Sequence, residues 1–296
     1  MTKAFDSPNT ICILRLSAIG DVCHAIAGVQ AIKDAYPKAK ISWVIGRVEY
    51  QLMRHLIEVD WVVFDKKQGL KAYKELYQRF KGHEFDILLH MQVALRASLA
   101  SLCISAKQKW GFDSARAKEG QWLFTNRQIP AQNQPHVAEG FWGFAKAIGA
   151  GQSDKPSWPT IKANQYPISA LLQHSKQPFV VISPAASNSV RNWLPQRYAA
   201  IADYLVGKGF NVVLTGGPSS IEKELSEKII KTTHQAVTNL VGQTSLIELL
   251  SVIEQARFII APDSGPAHMA CLVDTPVIGL YAHSNPQEQV LTKVRT

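Results

Sequence analysis

Between Ile11 and Tyr281 short apolar runs alternate with longer amphipathic stretches, and the alternation stops and restarts once. Few folds accept such a pattern, because strands separated by helix-length segments must pair in parallel through crossover helices. The first series reads ICILRL, a helix from about Asp21 to Tyr36, ISWVIG, a helix near Tyr50 to Ile57, WVVFD, a helix near Leu70 to Phe80, and DILLHM. Val22, Ala25, Ile26, Val29 and Ile32 recur at helical spacing and mark one buried face. Residues 150–178 collect Pro, Ser, Gln and Gly and interrupt the pattern, which sets the expected domains at 1–165 and 166–296. The second series reads FVVISPAA, a helix from Pro195 to Lys208, NVVLTGG, a helix from Ser219 to Lys231, VTNLVG, a helix from Ser245 to Ala256, and then the segment Arg257–Tyr281. The fold class predicted is α/β, two doubly wound parallel-sheet domains whose carboxyl strand edges face a cleft.

The segment RFIIAPDSGPAHMACLVDTPVIGLY is strand, Gly/Pro loop, helix and strand with little to spare. Asp263 and Ser264 are candidate caps of the helix that Pro266 starts. A helix opening just past a strand's carboxyl end presents unpaired N–H groups and a positive dipole end, which suits a phosphate near Ser264 and Gly265. A capped surface turn explains the same residues.

Composition narrows the classes. The chain has 296 residues, 46% of them hydrophobic, enough for two domains. No stretch approaches the ~18 apolar residues of a membrane span, and Ile11–Leu16 is too short for a leader, so a cytoplasmic protein is expected. The four cysteines are scattered and read as reduced core residues. Net charge is +9, and residues 1–150 carry most of it, with 20 Lys/Arg against 13 Asp/Glu. An anionic partner such as a phosphorylated glycolipid, a membrane surface or nucleic acid would fit that half. The charge is diffuse and no recognition motif accompanies it, which disfavours nucleic acid. Serine-hydrolase elbows, phosphate-binding G-x-x-x-x-G-K loops, paired-aspartate motifs and metal-ligand spacings are missing, so metal-independent chemistry without a cofactor is expected. Of the dinucleotide fingerprint only Gly20 is present, which argues against a dehydrogenase.

Three further loops carry candidates. In RLSAIGDVCHA, Asp21 reads either as a helix cap or as a general base, with His24 one turn further on. In SPAASNSVRNWLP, Ser187 and Arg191 suit a pyrophosphate leaving group, because a guanidinium stays charged and binds phosphate through two N–H groups. In LTGGPSSIEKEL, Glu222 or Glu224 could accept from ribose hydroxyls, although acids in a first helical turn are ordinary dipole partners.

Taken in order, RLSAIGDVCHAIAGVQAIKDAYP, NWLPQRY, LTGGP and PDSGPAHMACLVDTPVIGLY resemble the bacterial ADP-heptose lipopolysaccharide heptosyltransferases of glycosyltransferase family 9, over nearly the whole chain. The resemblance implies the GT-B architecture of two Rossmann-like domains and inversion at the anomeric carbon of the transferred sugar. It implies an N-terminal domain for a Kdo-bearing lipid A acceptor and a C-terminal domain for ADP-heptose. It makes Asp21 the catalytic base, with His24 and Arg191 beside it in the reaction, and Arg116 an acceptor-side arginine. Ser187, Glu222, Thr244, Asp263, Ser264, Gly265 and His268 become donor-side residues, with Asp263 an organiser of loop amides or a sugar hydroxyl. Arg191 stands where a lysine is common in the family, which keeps the charge and changes its geometry. No stable protein partner is implied, and a peripheral position at the inner face of the inner membrane is. After YAHSNP the tail QEQVLTKVRT departs from the family's longer continuation, and a truncated or frame-shifted product is expected there. Rival readings are a second-heptose or other-acceptor heptosyltransferase and a catalytically silent ADP-sugar-binding protein.

Overall fold

The apolar run at Ile11 becomes β1 (Thr10–Leu14), a central strand of the first sheet. The computed structural model describes residues 7–132, 136–153, 156–159, 161–163, 165–166, 172 and 177–281. The chain divides into two units, Met1–Pro159 and Thr160–Thr296. After β1 the first unit runs α1 (Ile19–Ala35), β2 (Lys40–Gly46), α2 (Arg47–Met53), β3 (Asp60–Phe64), α3 (Leu70–Phe80), β4 (Glu84–His90), α4 (Leu95–Ser101), β5 (Ser105–Gly111), β6 (Arg127–Gln128) and α5 (Val137–Ala147). All its strand pairs are parallel, in the order β3-β2-β1-β4-β5-β6. Leu14 sits opposite Val44 on one side and His90 on the other. Strand order reverses at β1, so the crossovers leave to opposite faces and open a crevice at the carboxyl ends of β1 and β4. On one face α3 and α4 share a core with Cys12, Leu14 and Leu88. The helices α1 and α5 pack on each other, and a Cβ on Gly28 would meet the Phe141 carbonyl at 3.1 Å, which shows how closely their backbones approach.

The second unit runs β7 (Phe179–Ile182), α6 (Pro195–Gly207), β8 (Asn211–Leu214), α7 (Ser220–Thr232), β9 (Thr238–Asn239), α8 (Leu246–Gln255), β10 (Ile259–Pro262), α9 (Gly265–Leu272) and β11 (Val277–Leu280). Its parallel sheet has the order β11-β10-β7-β8-β9, which puts the reversal between β7 and β10. Helix starts here follow local rules. Pro195 occupies the first position of α6. The Ser245 and Glu248 side chains cap α8 reciprocally, with Glu248 Oε2 accepting from the Ser245 amide at 2.7 Å.

Several expectations change. Helix α1 starts at Ile19, two residues before Asp21, and α2 covers 47–53 rather than the stretch to Ile57. The VTNLVG strand shrinks to the two residues of β9. Between Leu95 and Ala147 two helices and two strands form where no element was expected. Ser-rich LRASLAS and the strand SAKQKWG lack clean periodicity, and packing rather than pattern decides them. The tail 282–296 lies outside the described residues. No helix among the described residues is long and apolar enough to cross a membrane.

Candidate active site

Arg15 follows the last residue of β1 and still bonds in register, its amide donating to the Val44 carbonyl at 3.2 Å. Its side chain points into the crevice where strand order reverses. There Nη1 donates to the Met91 carbonyl at 2.6 Å, Nη2 pairs with Asp21 Oδ2, and the guanidinium carbon lies 5.0 Å from the Phe141 ring centroid. Burial lowers the Arg15 pKa and Asp21, then Glu49, oppose that shift. Starting from so basic a group, the charge is kept. Burial raises the Glu49 pKa, against the pull of Lys66 and Arg15.

Asp21 is therefore not the residue that precedes the helix but its third residue, and its Oδ2 also accepts from the Ala18 amide at 3.0 Å. Both partners use one oxygen. Among the described residues no hydrogen bond or ion pair is made by Oδ1, and the side chain keeps 34% of its exposure. The carboxylate is thus fixed at one atom and open at the other, the arrangement a general base needs. His24 is buried, with its ring edge-on to His136 at 5.7 Å between centroids. The neighbouring loop locks the turn. Gln92 Oε1 accepts from the Leu16 amide at 2.7 Å, its Nε2 donates to Ser17 Oγ at 3.3 Å, and Gln121 Nε2 donates to the His90 carbonyl at 2.8 Å.

In the second unit the loops after β7 and β10 meet across the strand-order reversal of that sheet. Asn192 Oδ1 accepts from the Ala186 amide at 2.7 Å, and Asn188 Oδ1 accepts from the Val190 amide at 3.2 Å. These bonds shape the 3-10 turn Ser189–Arg191, and Arg191 Nη1 reaches Asp263 Oδ2 at 3.1 Å. His268 Nε2 lies 3.4 Å from Asp263 Oδ1. Asp263 is thus an ion-pair partner of Arg191, with His268 at its other oxygen. Ser264 occupies the N-cap of α9 without a side-chain capping bond, and Gly265 and Pro266 begin the helix. Among the described residues, buried Arg191 Nε, Ser264 Oγ and Thr215 Oγ1 have no hydrogen-bond partner. Buried polar atoms normally have partners, so this edge is built for something polar to arrive. Beyond β11, burial pushes the Tyr281 pKa up to about 12, with Asp263 adding to the rise.

The remaining candidates are less open. The Glu222 carboxylate is engaged at both oxygens, accepting from the Gly217 amide at 2.7 Å and the Ser219 hydroxyl at 2.6 Å, and so shapes the Gly-Gly-Pro turn. Arg116 is engaged by Asp113, Gln132 and the Pro130 carbonyl, and lies over Phe112 at 5.3 Å. Ser187 is exposed in the β7 loop, and half-buried Thr244 precedes the Ser245 cap. No three His, Cys, Asp or Glu side chains converge as a metal site among the described residues. Arg15 and Thr215 were missed by sequence reasoning. A lone arginine in an otherwise apolar strand, six residues before an aspartate, is the signal that marks the first.

The sequence profile of glycosyltransferase family 9 (heptosyltransferase) matches residues 73–295. The chain is 41% identical over 282 residues to the lipopolysaccharide core heptosyltransferase OpsX of Haemophilus influenzae, which covers 95% of this chain and 81% of that protein. Among solved structures it resembles Escherichia coli heptosyltransferase WaaC with ADP, at a TM-score of 0.79 and 21% identity over 95% of this chain and 89% of that one. The Escherichia coli ADP-heptose lipopolysaccharide heptosyltransferase II also gives a TM-score of 0.79, at 20% identity over 97% of this chain and 89% of that one. The structural likenesses establish the fold, two Rossmann-like parallel-sheet domains of the GT-B class. With the profile and the 41% relative, they lead to one conclusion: the chain belongs to glycosyltransferase family 9, the heptosyltransferases.

Proposed function

We propose that this heptosyltransferase works on the lipopolysaccharide core, moving heptose from ADP-heptose to a Kdo-lipid A acceptor with inversion and without a metal ion. Residues 1–165 receive the acceptor and 166–296 the donor. Asp21 Oδ1 takes the proton of the acceptor hydroxyl as that oxygen bonds to the anomeric carbon. The bond from that carbon to the diphosphate oxygen breaks, and ADP departs with the electron pair. Arg191, Ser187 and the amides at Ser264 and Gly265 offset the charge gathering on the diphosphate. Asp263, with His268, orients the Arg191 guanidinium; a carboxylate is a poor direct ligand for an anion. His24 supports the Asp21 turn, Thr244 and Glu222 border the nucleoside, and Arg116 faces the acceptor. The protein works in the cytoplasm at the inner face of the inner membrane, where such an acceptor resides, with no stable protein partner.

The observation that carries this reading is Asp21, held at Oδ2 by a buried arginine and open at Oδ1. The test is Asp21→Asn, assayed for ADP release from ADP-heptose with a panel of Kdo-lipid A acceptors and, separately, for ADP binding by calorimetry. Turnover should fall by roughly 10²–10⁴ while ADP affinity is kept, as for loss of a general base. Turnover unchanged by the substitution would remove Asp21 from the mechanism. An unmodified chain that binds ADP but turns over no acceptor would favour the silent binder.

A further inference from the structure

Helix α4 is inside out. It buries Ala97, Ser98, Ala100 and Ser101 against the sheet and turns its leucines to solvent. Leu95, Leu99 and Leu102 follow one another at offsets of four and three, a single stripe on the helix surface, with Leu102 at 63% exposure. The 3-10 turn Gln121–Phe124 packs on this helix and adds Trp122 at 53% and Leu123 at 76%. Single exposed apolar residues are ordinary, but five on one helix and the turn packed against it form a patch. The small inward residues allow α4 to lie close to the sheet, where the Ser98 hydroxyl bonds His90 Nε2 at 3.1 Å.

The same face is basic. Helix α3 shares its core with α4, and the Tyr73 hydroxyl reaches the Arg96 carbonyl at 3.4 Å. Lys66, Lys67, Lys71, Lys74, Arg96 and Lys118 are exposed along α3, α4 and their loops. The acids among them are engaged. Glu75 pairs with Lys71 at 3.6 Å, Asp65 with Arg47 at 3.4 Å, and Glu119 accepts from the Leu95 amide at 2.6 Å. Position matters as well. Leu95 follows the carboxyl end of β4, beside β1, and Gln92 and Gln121 tie that end to the Ser17 turn that leads to Asp21.

We propose that the α3–α4 face of the N-terminal unit, with the 121–124 turn, docks on an anionic bilayer. The leucines and Trp122 enter the acyl boundary, and the lysines meet headgroup phosphates. A second copy of this chain joined through the same face would set these lysines against their own images across a two-fold axis. An anionic bilayer satisfies the apolar stripe and the cations together. The inference deepens the proposed function, and rests on it only for the lipid-linked acceptor that docking would present to Asp21.

The experiment is vesicle co-sedimentation of the full chain with phosphatidylcholine alone and with an equal mixture of phosphatidylcholine and phosphatidylglycerol. Binding should favour the anionic vesicles and weaken with salt. Leu99→Glu with Leu123→Glu should lower the partition coefficient at least tenfold, and each lysine changed to Glu roughly fivefold or more. Tyr204→Glu, which removes an exposed aromatic from α6, should leave binding unchanged. Circular dichroism and melting temperature report whether each variant folds. Vesicle binding that survives the leucine substitutions overturns the proposal. So does sedimentation velocity showing that they dissolve a dimer of a chain that ignores vesicles. Turnover on a delipidated, soluble acceptor separates the two readings, since the leucine variant should retain it if both hold. A chain that docks but transfers nothing would refute only the function proposed above.

Discussion

His90 closes β4 beside Arg15, fully buried, and its environment holds it neutral. Burial pushes its pKa down to about 4, and the charges of Lys109 and Arg15 push the same way. An unfolded chain binds that proton near pH 6.5, so between about 6.5 and 4 the unfolded state carries a proton the folded state refuses. The stabilisation from a neutral His90 is complete above about pH 6.5 and is lost as pH falls towards 4. A gap of about 2.5 units at ~1.4 kcal/mol each gives about 3 kcal/mol over the whole window, of which about 2 kcal/mol is lost by pH 5. His90→Gln keeps a side chain able to meet the Ser98 hydroxyl and removes the titration. Urea unfolding of both proteins at pH 8 and pH 5 is the assay, each compared with its own value at pH 8. The wild type should lose about 2 kcal/mol more than the variant, equivalent to roughly 4–8 °C in melting temperature for a unit of this size. Equal acid losses in the two proteins would refute the assignment and show that His90 accepts its proton in the folded state.

Two other substitutions probe the Asp21 turn. Arg15→Met keeps the buried stem and releases Asp21 Oδ2; kcat for heptose transfer should fall on the order of 10–100-fold with the donor KM unchanged, and Arg15→Lys should recover part of it. Equal kcat in Arg15→Met and wild type would remove Arg15 as a positioning residue. Gly46→Ala would drive a Cβ against the Leu16 carbonyl and the Glu49 carboxylate. It should cost about 1–3 kcal/mol in chemical denaturation and lower kcat as well, since Leu16 leads into the Asp21 turn; an unaffected stability would show that the loop yields freely.

The alternation of apolar runs was enough to read two parallel α/β units, and the Pro and Ser starts of α6, α7 and α8 were legible because a cap depends on residues within one turn. Asp21, Arg191 and the 263–268 loop were legible as candidates because loops after strand ends are short and polar in a chain of this kind. Glu222 reads in the sequence equally as a first-turn acid and as a ligand-facing one, and only the structure shows its carboxylate bonded to the Gly217 amide and the Ser219 hydroxyl. Helix α4 was not read at all, because a helix with alanine and serine inside and leucine outside inverts the pattern by which helices are recognised.

The sequence by itself determined most of the segments that become strands and helices outside 95–147, and through them the parallel sheets, because backbone hydrogen bonding and side-chain periodicity act over a few residues. Only the tertiary structure decided what those segments do to one another. Arg15 meets the Met91 carbonyl across 76 residues of chain, because β1 and β4 pair. Arg191 meets Asp263 from another loop, because β7 and β10 pair. Those contacts determine which oxygen of Asp21 is held and which cation Asp263 meets. They depend on strand order, and strand order is set by how whole helices pack on the sheet rather than by any short stretch of residues.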